Sequence, residues 1–170
     1  MHRIHCYFVG LIVSALVLAL AGCGWHLKGI AKLPTPLQQL YIKSKTPNDF
    51  LIILLTRTLE ANHTTVVSSP KTANAILVIE HIDKSNRLTS ISGGAEAGQY
   101  TVNLKVVYKV LTPAGKVLLR RTISQNSQTY TSNATQALSG LSNAQTLTDS
   151  LQRSVVDDIL SRLSSIKPTS

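Results

Sequence analysis

The stretch YTVNLKVVYKV, residues 100–110, alternates apolar and polar side chains more regularly than any other part of the chain. Every second position is apolar or aromatic, and most positions between them are polar. The first set is Tyr100, Val102, Leu104, Val106, Tyr108 and Val110, and the second is Thr101, Asn103, Lys105, Val107 and Lys109. Because successive side chains of a strand point to opposite faces, this period of two predicts a long strand with one face on the core.

A hairpin and a partner strand are predicted directly after this stretch. Residues 112–116, TPAGK, have the composition of a tight turn. The partner strand is expected from Val117 to about Tyr130, with Leu119 and Ile123 facing the core. The two strands together predict a long antiparallel hairpin.

Two further strands are predicted before the hairpin. The apolar run Ile76–Ile79 predicts a buried strand over residues 73–82, which continues into the polar segment 83–92. Ser92–Ala95 indicates a loop between this strand and the alternating one. Leu37–Lys43 is a shorter strand candidate.

Two helices complete the pattern. Thr46–Asp49 supplies turn and capping residues, and leucines at helical spacing predict a helix over Phe50–Ala61. After the polar, irregular segment 131–141, residues 142–145 resemble a capping box. The last helix carries a four-residue repeat of apolar positions and ends before Pro168; the repeat is Leu147, Leu151, Val155, Ile159 and Leu163.

The element order is therefore β-α-β-β-β-α, which predicts an α+β fold. Two helices can cover one face of a four-stranded mixed sheet and form a two-layer sandwich. The first two strands are expected to be parallel and joined by a right-handed helical crossover. The uncovered face of the sheet is expected to carry Thr101, Asn103, Lys105 and Lys109.

The N-terminus has the three parts of a secretory signal. A basic start precedes an apolar run over Tyr7–Leu20, which is shorter than the about 20 residues of a membrane-spanning helix. The sequence Leu20-Ala21-Gly22-Cys23 then resembles the lipobox of bacterial lipoproteins. That resemblance implies cleavage between Gly22 and Cys23 and acylation of the Cys23 thiol and amine; the alternative is a buried cysteine in an N-terminal core helix.

This interpretation divides the chain into four parts. Residues 1–22 form the signal, 23–36 a lipidated extended tether, 37–167 one domain and 168–170 a tail. In the lipoproteins that the lipobox resembles, an aspartate after the cysteine retains the protein at the inner membrane. The glycine at position 24 therefore favours the periplasmic side of the outer membrane.

The charge and composition of the mature chain restrict its partners. It keeps 16 Lys and Arg (17 less Arg3) against 8 Asp and Glu, a net charge of +8, which attracts polyanions. In the periplasm the available anions are lipid headgroups and lipopolysaccharide phosphates, so nucleic acid is not expected. The whole chain has 18 Ser and 17 Thr but only 15% charged residues, so its polar surface carries little charge. Such a surface suits a domain covered by a polar partner, and the lumen of an outer-membrane barrel is one.

No catalytic constellation is recognisable in the sequence. His26, His63 and His81 stand alone without metal-ligand spacing. There is no Gly-x-Ser-x-Gly elbow, and Cys6 leaves with the signal, so no free thiol remains. We therefore expect neither an enzyme nor a cofactor apart from the covalent lipid on Cys23.

The mature start, Cys-Gly-Trp-His-Leu-Lys-Gly at residues 23–29, resembles that of the LPS-assembly lipoprotein family LptE, also called RlpB. Leu33-Pro34, Gln99-Tyr100 and the helical segment Asp157–Leu163 agree more loosely with the same family. The resemblance implies a plug inside the outer-membrane β-barrel LptD that helps this barrel assemble and binds lipopolysaccharide. The alternative is a structural or adaptor lipoprotein that binds a periplasmic protein or peptidoglycan.

The resemblance also implies where lipopolysaccharide is bound, near the loop between the second and third predicted strands and before the last helix. At those places this chain has Gly93-Gly94 and Ser139-Gly140. The nearest basic residues to the first loop are Lys84 and Arg87. Charge alone adds four further candidates, whose alternative role is that of solvated strand residues: Lys105, Lys109, Arg120 and Arg121.

Overall fold

The computed structural model describes residues 33–91, 97–133 and 137–167. A 3-10 turn, Thr35–Leu37, precedes two helices and five strands. The helices are α1, Phe50–Ala61, and α2, Ala137–Ser164. The strands are β1 Gln39–Ser44, β2 Thr65–Val66, β3 Ala75–Ile91, β4 Ala97–Leu111 and β5 Val117–Asn133.

The five strands form one mixed sheet in the order β2-β1-β3-β4-β5. β1 runs parallel to β2 and β3, and the β3–β4 and β4–β5 pairs are antiparallel. The predicted α+β fold is confirmed, with five strands where four were predicted. The additional strand, β2, has two residues, which are too few to show a period in sequence.

The core lies between the sheet and both helices. Leu51, Leu55 and Leu59 of α1 share one cluster with alternate residues of β4 and with the apolar stripe of α2. The predicted alternation is therefore confirmed: Val102, Leu104, Val106, Tyr108 and Val110 are all buried. Burial of one face of each element in a common core holds the two layers together.

Both ends of α1 are where the sequence places them. Asp49 is the N-cap, and its side chain accepts a hydrogen bond from the Leu51 N–H at 2.8 Å. Asn62 is the C-cap. By contrast, α2 begins at Ala137, so the predicted capping box at residue 142 is wrong. The apolar stripe that identified this helix does not determine which turn is its first.

The hairpin turn is confirmed. Gly115 has a φ of 85°, a left-handed conformation that glycine adopts without steric cost. The N–H of Thr112 donates to the carbonyl of Lys116 at 2.8 Å and closes the turn.

The predicted orientation of Ile123 is wrong, because β5 contains a bulge. Val110 pairs with Leu119, and Tyr108 pairs with Thr122. The two pairs are therefore two residues apart on β4 but three residues apart on β5, so β5 contains one extra residue between them. The extra residue reverses which side chains face the core. Leu119 packs partly against the core as predicted, but Ile123 is 44% exposed and Ser124 is buried in its place.

Leu33, the first of the described residues, is buried in the core cluster together with Leu37. Residues 33–36 of the predicted tether therefore belong to the folded domain. The signal, Gly22, Cys23, the tether up to residue 32 and the tail 168–170 lie outside the described residues.

At the other end, the sheet narrows. β1 pairs with β3 only as far as Ser44 and Ile79. Beyond Ile79, β3, β4 and β5 continue alone as a three-stranded antiparallel ribbon.

Candidate functional site

One face of this three-stranded ribbon points away from the helices. Cross-strand partners share a face, so the register defines it. We call the following four rows the open face: His81, Val107 and Ile123; Asp83, Lys105 and Gln125; Ser85, Asn103 and Ser127; Arg87, Thr101 and Thr129. The predicted polar face of β4 is confirmed, since Thr101, Asn103 and Lys105 lie in its rows. Lys109 follows two residues later on the same side of β4.

Neutral hydrogen bonds connect the strands across this face. The Thr101 hydroxyl lies 3.4 Å from that of Thr89 and 3.2 Å from that of Thr129, which makes a threonine ladder over three strands. The Gln125 amide donates to the Asn103 amide oxygen at 3.1 Å. A shallow depression of about 290 Å³ lies beside the ladder; it is lined by Asp83, Ser85, Arg87, Thr89, Thr101 and Asn103.

Three of the six basic residues predicted to bind lipopolysaccharide form ion pairs with carboxylates of this chain. Lys84 pairs with Leu104 and so belongs to the helix side of the sheet, where its Nζ lies 2.9 Å from Asp49. Lys109 Nζ lies 2.7 Å and Arg121 Nε 2.9 Å from the two carboxylate oxygens of Glu80. A lysine or arginine whose charge is already neutralised by a carboxylate attracts a phosphate of a ligand less strongly.

The other three basic candidates are separate from one another. Arg87 and Lys105 lie on the open face, and Arg120 is exposed at the bulge of β5. Within the described residues, none of these three has a carboxylate within 4.0 Å. Of the six basic candidates, only Arg87 and Lys105 both lie on the open face and have no carboxylate partner within the described residues.

Glu80, on β3, connects this strand to both β4 and β5 through its two cations, Lys109 and Arg121. Hydrogen bonding from Lys109, and then from Arg121, holds the pKa of the Glu80 carboxyl below its ordinary value. A carboxyl with a lowered folded pKa stabilises the fold above its unfolded pKa, and this contribution is lost as the pH falls through the folded value.

We expect Glu80→Gln to lower the melting temperature at neutral pH, by an amount that shrinks as the pH falls through the lowered folded pKa of Glu80 and the wild-type carboxyl becomes protonated as well. Thermal unfolding followed by circular dichroism between pH 3 and 7 would measure this. Glu60→Gln, on the exposed side of α1, is the matched control. An equal loss at every pH would show that the ion pairs do not cause the effect.

A second polar network lies on the helix side and fixes α2 to the sheet. The hydroxyls of Tyr108 and Ser124 are 3.1 Å apart, and Ser124 donates to Asp158. Asp158 also accepts from Arg162 Nε at 3.0 Å. Burial raises the pKa of the Tyr108 phenol. The neighbouring Asp157 and Asp158 do not form a carboxylate pair: Asp157 is exposed, and Asp158 contacts β5.

Within residues 33–91, 97–133 and 137–167, no three His, Cys, Asp or Glu side chains come together as a metal site. In the same residues, neither helix is long and apolar enough to cross a membrane. Two features of this region were not predicted from the sequence, the glutamate shared by two cations and the threonine ladder. The polar residues at alternate positions of β3 and β5 were the available signal for the ladder.

The same two-layer architecture occurs in solved bacterial lipoproteins. The solution structure of uncharacterized lipoprotein B from Nitrosomonas europaea superimposes with a TM-score of 0.71 and 20% identity, covering 84% of this chain and 91% of that one. Rare lipoprotein B from Shewanella oneidensis gives 0.65 and 17%, with 75% of this chain and 94% of that one covered. At these identities the likeness establishes the two-layer fold alone.

The family follows from the sequence. The model of the family LptE, described as lipopolysaccharide-assembly, matches residues 37–163, and the chain belongs to this family. LPS-assembly lipoprotein LptE of Photorhabdus laumondii is 27% identical over 137 residues, 81% of this chain and 72% of that protein. Its namesake in Yersinia enterocolitica is 31% identical over 114 residues, 66% of this chain. The match spans about half, 53%, of the Yersinia protein.

Proposed function

We propose that this protein is an outer-membrane lipoprotein that fills the lumen of an LptD-type β-barrel, helps that barrel to assemble and assists the insertion of lipopolysaccharide at the cell surface. The family match over residues 37–163 carries the proposal. The open face supports it with a surface that suits the inside of a barrel.

The chemistry of the open face explains how such a plug could be held. Interiors of outer-membrane barrels are polar. When the plug enters the barrel, hydroxyl and amide side chains such as Thr101, Asn103 and Thr129 can replace their hydrogen bonds to water with hydrogen bonds to the polar side chains that line the lumen. They do so without the large desolvation cost that a buried unpaired charge carries. A face rich in neutral hydrogen-bonding groups is therefore suited to a tight and polar contact.

We propose that the anchor is the lipid on Cys23, after removal of residues 1–22. Each buried methylene contributes about 0.8 kcal/mol to membrane binding, so several acyl chains hold a protein almost permanently. Residues 24–32 lie between this anchor and Leu33, which is buried in the core of the domain. The protein would stay on the periplasmic side of the outer membrane while it fills the barrel.

Lipopolysaccharide contacts, in this proposal, belong to Arg87 and Lys105. Their charges are free of ion pairs within the described residues. Arg87 lies in the row of Thr101 and Thr129, and Lys105 lies two rows away on the same face. Phosphate groups bind such cations through charge-assisted hydrogen bonds. Lys84, Lys109 and Arg121 would first have to give up a carboxylate.

The double variant Arg87→Ala, Lys105→Ala is expected to bind lipopolysaccharide about 3- to 10-fold more weakly, since each exposed charged contact contributes up to about 1 kcal/mol. Binding to purified lipopolysaccharide at fixed salt would measure it. Lys116→Ala with Arg153→Ala, at exposed positions off the open face, removes the same charge. An equal loss in both double variants would mean that net charge alone attracts the ligand.

Depletion tests the function itself. Lowering the amount of this protein in the source bacterium should reduce the folded barrel in the outer membrane and the lipopolysaccharide at the surface. A plasmid copy should restore both. Unchanged barrel and surface lipopolysaccharide after full depletion would contradict the proposal, and cross-linking of the protein to peptidoglycan would favour the adaptor function.

A further inference from the structure

The last strand, β5, is a long edge of the sheet. In the order β2-β1-β3-β4-β5 it pairs with β4 alone. Across the described residues, its backbone makes no hydrogen bond with the backbone of any element other than β4. An edge strand of 17 residues offers a long row of backbone donors and acceptors to another strand.

The two edges of the ribbon are protected very differently. Beyond its pairing with β1, β3 carries Glu80, Asp83, Lys84 and Arg87. Charged side chains are a common means by which proteins block unwanted pairing at an edge. From Thr122 to Asn133, β5 has no charged residue and no proline. Only the edge of β5 is thus free of these two protections.

The hydrogen-bond ladders of the open face end at this unprotected edge. The threonine ladder runs from Thr89 through Thr101 to Thr129, and the amide pair from Asn103 to Gln125. Cross-strand pairs of this kind stabilise neighbouring strands. An added strand with hydroxyl or amide side chains at alternate positions would extend both ladders by one member.

The backbone of β5 also shows which groups face outwards. The N–H of Ser127 donates to the side-chain oxygen of Asn126, its own neighbour, at 2.8 Å. A donor that is satisfied within its own strand is not used in the ladder to β4. Ser127 is therefore a position where an incoming strand can take over an N–H from the Asn126 side chain without breaking a backbone bond to β4.

We propose that the edge of β5 from Thr122 to Asn133 is a strand-addition site for an extended, uncharged segment of the barrel partner that is rich in Ser, Thr, Asn and Gln. This inference rests on the proposed function. Strand addition derives affinity from main-chain hydrogen bonds and specificity from alternate side chains. The added segment cannot be one of the strands that form the barrel wall, because each of those strands is already paired on both sides.

Proline at Ser127 tests the edge directly. Proline lacks the N–H and is tolerated on edge strands where that group faces outwards. We expect tagged, full-length Ser127→Pro to recover about tenfold less barrel from detergent-solubilised outer membranes than the wild type. Ser127→Ala, which keeps the N–H, should recover the wild-type amount. Equal recovery by the proline variant would overturn the inference.

Photo-crosslinking keeps the inference testable if the proline variant fails to fold. Ser85 and Ser127 occupy the two edges of the same row, so p-benzoylphenylalanine at each position makes a matched pair. Crosslinks from position 127 should map to one extended segment of the barrel, and crosslinks from position 85 should map elsewhere on it. Crosslinks from 127 to a second copy of this chain, or crosslinks from both positions to the same segment, would overturn the strand-addition site.

The outcomes separate the two proposals. If the wild type recovers the barrel but position 127 does not crosslink to it, the strand-addition site is wrong and the proposed function stands. If the wild type recovers no barrel, the proposed function fails and the strand-addition site fails with it.

Discussion

Leu55→Ala is expected to lower the free energy of unfolding by about 2–5 kcal/mol, the usual cost of deleting a fully buried leucine side chain. Leu55 has no exposed surface and lies in the cluster that α1 shares with the sheet and α2. The truncation removes apolar contacts and leaves a cavity that the rigid sheet cannot fill. Urea unfolding of the purified protein, followed by circular dichroism, measures the change.

Ile53 provides the matched control on the same helix. It is 40% exposed, so Ile53→Ala should cost clearly less than Leu55→Ala, because much of its side chain already contacts water. Similar losses for the two variants would mean that α1 does not pack against the sheet through the face that carries Leu55. The two-layer arrangement would then be wrong.

Cys23→Ala is expected to abolish membrane anchoring. With no thiol at this position, no diacylglycerol can be attached, and the protein should remain as an unprocessed precursor or appear in a soluble fraction. The wild type should be found in the outer membrane, because its acyl chains bury many methylenes. Membrane fractionation and the intact mass of the purified protein measure both consequences.

Cys6→Ala is the control for this experiment. Cys6 is the other cysteine of the chain and belongs to the predicted signal, so its replacement should leave processing, lipid mass and localisation unchanged. If the Cys23→Ala protein fractionates with the outer membrane and has the same mass change as the wild type, the lipoprotein interpretation is wrong.

Local patterns were sufficient to predict most of the architecture. The alternation over residues 100–110 identified β4 and its buried face, and the capping residue Asp49 identified the start of α1. The orientation of Ile123 could not be predicted, because the bulge that reverses it depends on the register between two strands. β2 was missed because its two residues are defined by pairing with β1 and by no pattern of their own.

The candidate site was less predictable than the fold. The sequence identified Arg87 and Lys105 as basic strand residues, but it also selected Lys109 and Arg121. Glu80, which pairs with both of the latter, is far from them in sequence, and only the three-dimensional arrangement shows that their charges are used internally. The free edge of β5 likewise follows from the strand order, which sequence patterns alone did not give.

The plug function is tested by purifying the tagged wild-type protein from detergent-solubilised outer membranes and identifying its partners by mass spectrometry. We predict one large β-barrel protein of the LptD type in a ratio close to 1:1. Recovery of the lipoprotein from the outer membrane without any barrel, or with peptidoglycan in its place, would contradict the central claim that this chain fills and assembles a barrel.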